Sequence, residues 1–87
     1  MEIIFLKQAL LDTDFWKKVG NKAIQKKITA LLESIAQTPF SGIGKPELLI
    51  HDLSGLWSRR ITDEHRLVYE VEDNKVFIYS LKGHYIK

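Results

Sequence analysis

The stretch Leu56-Trp57-Ser58-Arg59-Arg60-Ile61-Thr62-Asp63-Glu64-His65-Arg66-Leu67-Val68-Tyr69-Glu70-Val71 decides how this chain folds. Two runs rich in β-branched and aromatic residues flank the polar pair Asp63-Glu64, the pattern of an antiparallel hairpin with strands over 56–62 and 65–71. Side chains alternate between the two faces of a strand. Trp57, Arg59 and Ile61 therefore share one face of the first strand, and His65, Leu67, Tyr69 and Val71 share one face of the second. A covered face takes the more apolar set from each, so Trp57 and Ile61 belong with Leu67 and Tyr69. That register places Arg60 beside Arg66 on the opposite, open face, next to Thr62 and Glu70. It requires an odd number of loop residues or a bulge; a plain two-residue turn would put Arg59 on the same face as Arg66 instead. Two adjacent arginines repel unless something anionic lies between them. Glu70 and nearby carboxylates would satisfy them in a purely structural reading. In a functional reading the two guanidinium forks await a phosphate.

Downstream, residues 76–81 form a further strand candidate after the turn residues Glu72-Asp73-Asn74, and upstream 48–50 is another. The N-terminal run over residues 2–6 fits a buried strand. Between it and the β region lie two helical patterns. Residues 9–19 place Leu11, Phe15 and Trp16 on one side and Lys17 and Lys18 on another. Gly20-Asn21 breaks the pattern, with glycine suited to a helix end and Asn21 to the next N-cap. Ile24, Ile28, Leu31, Leu32 and Ile35 then recur at the spacing of one apolar helical stripe. Thr38-Pro39 ends it, because the residue before proline is pushed out of the α region. The expected architecture is α+β: two N-terminal helices, as an antiparallel hairpin, packed on one face of a mostly antiparallel sheet. The Phe40-Ser41-Gly42-Ile43-Gly44-Lys45-Pro46-Glu47 segment reads as a loop, and loops of this kind commonly carry function.

Composition narrows the chemistry. With 87 residues the chain forms a single domain, residues 1–87, with one core. The absence of cysteine removes disulfides, thiolate metal sites and a cysteine nucleophile. No apolar run reaches membrane-spanning length, and the first six residues are too short for a signal peptide, so a cytoplasmic protein is expected. Net charge is only +2, which by itself does not predict nucleic-acid binding. Lys17, Lys18, Lys22, Lys26 and Lys27 form either a solvated helix face or a phosphate-contacting one. His51, His65 and His84 lack the spacing of a zinc site, and neither a phosphate loop nor a nucleophile elbow is present. Metal-dependent or serine-nucleophile hydrolysis is thereby disfavoured, and no metal or other cofactor is expected.

What remains is Glu47, the arginines of the sheet and His84-Tyr85. RNA carries its own nucleophile in the 2′-hydroxyl, so its cleavage needs a base, cations around the crowded phosphorane and an acid for the departing 5′-oxygen. Glu47 as base, Arg66 as clamp and His84 as acid would meet those needs, with Tyr85 stacking on a nucleobase. It is one assignment among several, since His84 reads equally as a surface residue near the terminus.

The strings Thr38-Pro39-Phe40, Gly44-Lys45-Pro46-Glu47, Leu53-Ser54-Gly55-Leu56-Trp57-Ser58-Arg59-Arg60-Ile61-Thr62 and Glu64-His65-Arg66-Leu67-Val68-Tyr69, with the His84-Tyr85 ending, resemble the YoeB family of toxins from residue 38 to residue 85. The resemblance implies a microbial-ribonuclease-like fold of the RelE/ParE superfamily. It implies a type II toxin–antitoxin toxin, an mRNA interferase that cleaves mRNA in the ribosomal A site, blocks translation and is neutralised by a YefM-like antitoxin, and it implies a homodimer. Matched position by position, Glu47 resembles the family's general base, Arg66 its transition-state arginine and His84 its general acid. Arg60 resembles a phosphate-binding arginine and Tyr85 the neighbouring aromatic, with Lys45 and His51 in supporting, substrate-binding places. Ile50 stands where the family usually has lysine, and Lys82-Gly83 where it tends to have arginine and an aromatic. Two other outcomes stay open: a gyrase-inhibiting toxin of the ParE type, which shares the superfamily but has no need of this residue set, and an inactive antitoxin-binding module.

Overall fold

The computed structural model describes residues 1–84. Along the chain run β1 (Glu2–Phe5), α1 (Lys7–Lys18), α2 (Lys22–Gln37), β2 (Glu47–Leu48), a single 3₁₀ turn (His51–Leu53), β3 (Trp57–Arg60), β4 (Arg66–Glu72) and β5 (Lys75–Ser80). The strands form one sheet in the order β1-β5-β4-β3-β2. Among the described residues β1 and β5 pair in parallel, and the other pairs are antiparallel. Both helices deliver side chains to one core, where Trp16, Ile24, Ile28, Leu31 and Ile35 meet Ile61, Leu67, Tyr69, Val76 and Ile78. The α+β architecture expected from the sequence is the one observed.

Local chemistry accounts for the elements. The stripe expected on α2 is buried at Ile24, Ile28, Leu31 and Ile35, with Leu32 packed against the core. Asn21 caps this helix, its side-chain oxygen accepting the Ile24 N–H at 3.0 Å. Asn21→Ala should cost about 1 kcal/mol, read as a lower urea midpoint with an unchanged slope. Asp73 and Asn74 take left-handed conformations (φ 53 and 61) between the paired Glu72 and Lys75. This is the two-residue turn that suits the twist of a hairpin.

The structure corrects α1. Its buried residues are Ala9, Asp12 and Trp16, whereas Leu11 and Phe15 are 52% and 39% exposed. The helix turns a carboxylate inward because that carboxylate has work to do. Asp12 accepts the Leu81 N–H at 2.8 Å and the Gln8 amide at 2.9 Å, and Trp16 donates its indole N–H to the Leu81 carbonyl at 2.9 Å. Burial of these polar groups is tolerated because each finds a partner. β2 is likewise shifted: it covers Glu47–Leu48 rather than 48–50. Glu47 therefore sits on an edge strand and not in the preceding loop.

Candidate active site

The β3–β4 register matches the apolar-face argument. Trp57 pairs with Tyr69, Arg59 with Leu67, and Arg60 with Arg66, with the five residues 61–65 forming the connection. Glu47 is the partner of Ser58 on β3, so it shares the open face with Ser58, Arg60 and Arg66. A cleft of about 320 Å³ opens there, lined by Lys45, Pro46, Glu47, Ser58, Arg60 and Arg66. Three cations and one carboxylate face this space. That charge balance favours an anion, with the carboxylate placed to take a proton from it or from a group attached to it.

Neither arginine is quenched by Glu70, whose carboxylate instead accepts the Tyr79 hydroxyl at 2.9 Å. Arg60 pairs with the solvent-exposed Asp63 at 3.5 Å, a contact of little consequence in water. Arg66 is oriented by the loop before it: its Nη1 donates to the carbonyls of Thr62, Asp63 and His65. Those bonds all fall on one nitrogen, so they do not use the Nη2 and Nε donors. The same loop is tightened by Thr62, whose hydroxyl accepts the N–H groups of Glu64 and His65.

The segment that follows β5 is tied to this end of the sheet. The Arg66 N–H donates to the Gly83 carbonyl at 3.0 Å, and the Gly83 N–H donates to His65 Nδ1 at 2.8 Å. Together with the Asp12 and Trp16 bonds to Leu81, these contacts fasten the chain immediately before His84, which is exposed. His65 is thus a half-buried, hydrogen-bonded histidine, stacked edge-on against Trp16 with ring centroids 4.8 Å apart. His51 does not line the cleft. It is exposed, with a left-handed backbone (φ 61), in the 3₁₀ turn. Tyr85 lies outside the described residues. Among the described residues, no group of three or more His, Cys, Asp or Glu side chains is placed to hold a metal ion.

Sequence reasoning overlooked the residue that organises the loop. Phe40 is 55% exposed and lies tilted against Trp57, with ring centroids 5.1 Å apart. The anchor is Arg59, which is wholly buried and hydrogen-bonds to the carbonyls of Thr38, Ser41 and Ile43. The parity that places Arg60 in the open also turns Arg59 inward, and this was the signal available. Burial pushes the Tyr69 phenol above its ordinary range, only partly offset by the hydrogen bond and charge of Arg59. The phenol therefore keeps its proton and donates it to the Pro39 carbonyl at 2.7 Å. Close approach explains Gly44 as well. A Cβ there would stand 2.6 Å from Leu31 Cδ2 and 3.3 Å from the Arg60 carbonyl oxygen, on a backbone at φ +83. Gly44→Ala is expected to destabilise the fold by roughly 1–3 kcal/mol, measurable by chemical denaturation.

The profile described as "YoeB-like toxin of bacterial type II toxin-antitoxin system" matches residues 5–85. The chain belongs to the YoeB toxin family. Toxin YoeB of Escherichia coli K12 is 47% identical over 85 residues, covering 98% of this chain and all of that one. Among solved structures, a YoeB/ParE toxin from Agrobacterium tumefaciens superposes with a TM-score of 0.93 at 37% identity, over 98% of this chain and all of that one. YoeB of Staphylococcus aureus, solved in a heterotetrameric complex with YefM and as a dimer, is 46% identical, with TM-scores of 0.87 and 0.88 over 98% of both chains. This YoeB-family chain is thus a toxin of a type II toxin–antitoxin system. Its cleft, walled by the glycine-containing loop and floored by the arginine hairpin, lies within the matched region.

Proposed function

We propose that the chain is a metal-independent endoribonuclease that cuts mRNA in the ribosomal A site and so blocks translation. The observation that carries this reading is the cleft that gathers Lys45, Glu47, Arg60 and Arg66 on one open sheet face. In the proposed reaction Glu47 removes the proton of the 2′-hydroxyl, whose oxygen attacks the adjacent phosphorus. The bond from phosphorus to the 5′-oxygen breaks, and His84 protonates the leaving oxygen. A 2′,3′-cyclic phosphate and a 5′-hydroxyl result. Arg66, pre-oriented by three carbonyls, stabilises the charge that builds on the phosphorane, and Arg60 and Lys45 hold the phosphate. Tyr85 stacks on a neighbouring base, and His51 supports the substrate from outside the cleft lining. The reaction needs no cofactor, since nucleophile, base, acid and cations are all supplied by RNA and protein.

The modest net charge of +2 fits an enzyme that takes much of its substrate affinity from the ribosome, and with it a cytoplasmic setting. No described helix is long and apolar enough to cross a membrane. A YefM-like antitoxin and a second copy of the chain are the proposed partners, supported by the Staphylococcus aureus complex and dimer.

The test is induced expression in bacteria, wild type beside His84→Ala, with primer extension on a translated message. Cuts within codons that disappear in the variant are the expected result. Growth arrest with intact message, unchanged by the substitution, would replace this reading with a poison of another target, of the gyrase-inhibitor kind.

A further inference from the structure

The cleft depends on a residue that does not line it. Arg59 has no exposed surface, and all five of its N–H donors are used. Nε donates to the Tyr69 hydroxyl at 3.1 Å. Nη1 donates to Ser34 Oγ at 2.7 Å and the Ile43 carbonyl at 3.0 Å, and Nη2 to the carbonyls of Thr38 at 2.7 Å and Ser41 at 2.8 Å. Every acceptor is neutral. A cation removed from water without a counter-ion is retained only where its donors are satisfied. A guanidinium also directs those donors in a rigid plane, so it dictates where the acceptors stand. Four of the five bonds run to α2 and the loop after it, and the fifth goes through Tyr69, which itself bonds the Pro39 carbonyl.

The loop then passes its position on to the cleft. Gly44 donates no side chain but lends its carbonyl to the Arg60 N–H at 2.7 Å, a contact made beside the Arg59 Cβ. The next residue, Lys45, holds a left-handed backbone (φ 52), a conformation that costs energy in a non-glycine residue and persists where the surroundings impose it. Pro46 and Glu47 follow, and Glu47 joins the sheet opposite Ser58. We infer that Arg59 is the positioning residue of this site, setting the placement of Lys45 and Glu47 across the cleft from Arg66 by holding the 38–44 backbone. The inference rests on the ribonuclease reading of the cleft.

A core arginine that only stabilised the fold would, when weakened, reduce the folded fraction and leave each folded molecule equally fast. A positioning residue instead lowers turnover in molecules that remain folded, since displacement of a base by about 1 Å can cost on the order of 10² in rate. The experiment is cleavage of message on programmed bacterial ribosomes by wild type, Tyr69→Phe and Arg59→Lys, at a temperature where circular dichroism shows each folded. Tyr69→Phe removes the hydroxyl between Arg59 and Pro39 but keeps the ring. Arg59→Lys keeps the charge but offers three donors rather than five. Expected are kcat values at least about tenfold lower with KM within about twofold of wild type, the signature of an interaction made in the transition state. Ser34→Ala, which removes a single half-buried acceptor, serves if either variant fails to fold, with a smaller loss in the same parameter. Folded variants with unchanged kcat, or a loss confined to KM, would overturn the assignment. Absence of cleavage by the wild type would instead overturn the reading of the cleft itself, and the inference with it.

Discussion

Glu47→Ala, Arg66→Ala and His84→Ala should each lower ribosome-dependent cleavage by at least about 10²-fold while leaving the fold intact. The magnitude is the low end of what a positioned acid, base or oxyanion-type contact contributes. Glu47 and His84 are exposed, so truncating them creates no core cavity and loss of activity can be assigned to chemistry. Arg66 is half-buried and its Nη1 binds three carbonyls, so its variant also frees the 61–65 loop. Arg66→Lys separates these effects, because lysine keeps a cation near the phosphate without the planar fork. Single-turnover rates on programmed ribosomes, beside unfolding midpoints, provide the measurement. Retention of full activity by all three alanine variants would remove the acid–base mechanism.

The second large effect falls on stability. Arg59→Met replaces a buried guanidinium by an apolar chain of comparable length and removes five hydrogen bonds at once: those to the carbonyls of Thr38, Ser41 and Ile43, to Ser34 Oγ and to the Tyr69 hydroxyl. The Thr38 and Ser41 carbonyls and the Tyr69 hydroxyl keep a second partner, so each lost bond there costs about 0.5–1.5 kcal/mol, and a buried acceptor left unsatisfied about 1–3 kcal/mol. Methionine recovers part of this by removing the need to desolvate a cation. The net loss is expected to reach about 3 kcal/mol or more, a large share of the 5–15 kcal/mol typical of a whole domain. Guanidinium-induced unfolding checks it, and a loss below about 1 kcal/mol would show that the network is dispensable to the fold. The prospect of an unfolded Arg59→Met protein is why its positioning role is better tested with Tyr69→Phe.

Much of the fold was legible because its signals are local. The α2 stripe, the Asn21 cap and the Thr38-Pro39 stop each act over a few residues, and each is found as expected; the turn expected over Glu72-Asp73-Asn74 narrows to Asp73-Asn74, with Glu72 in the strand. The pairing of Arg60 with Arg66 was legible for a different reason. Strand parity transmits the demand for an apolar face across the whole hairpin, so one slip would have buried the wrong set. Where the expectation failed, a long-range partner had reversed the usual preference. Asp12 is inside and Leu11 outside because the Leu81 N–H, 69 residues away in sequence, needs an acceptor. Glu47 reads as a loop residue from the Gly-Lys-Pro context before it, yet pairs with Ser58 as an edge strand. His51, Ile50 and the Lys82-Gly83 departure show how much a resemblance can carry. It marks positions near a site, but His51 lies off the cleft lining.

By itself, the sequence determined the family, the α+β layering, the hairpin register and the short set of residues able to do acid–base and phosphate chemistry, because periodicity, parity and motif spacing are properties of the chain alone. Only the tertiary structure decided that Glu47, Lys45, Arg60 and Arg66 share one cleft, and that Arg59, adjacent to Arg60, is a buried anchor. Neighbouring residues on a strand point to opposite sides of a sheet, but which side is solvent and which is core is settled by what packs there. Here α2 and the loop after it cover the Arg59 side of β3, and the cleft opens on the Arg60 side. The same residue type is therefore a buried structural cation on one side and the proposed phosphate ligand on the other.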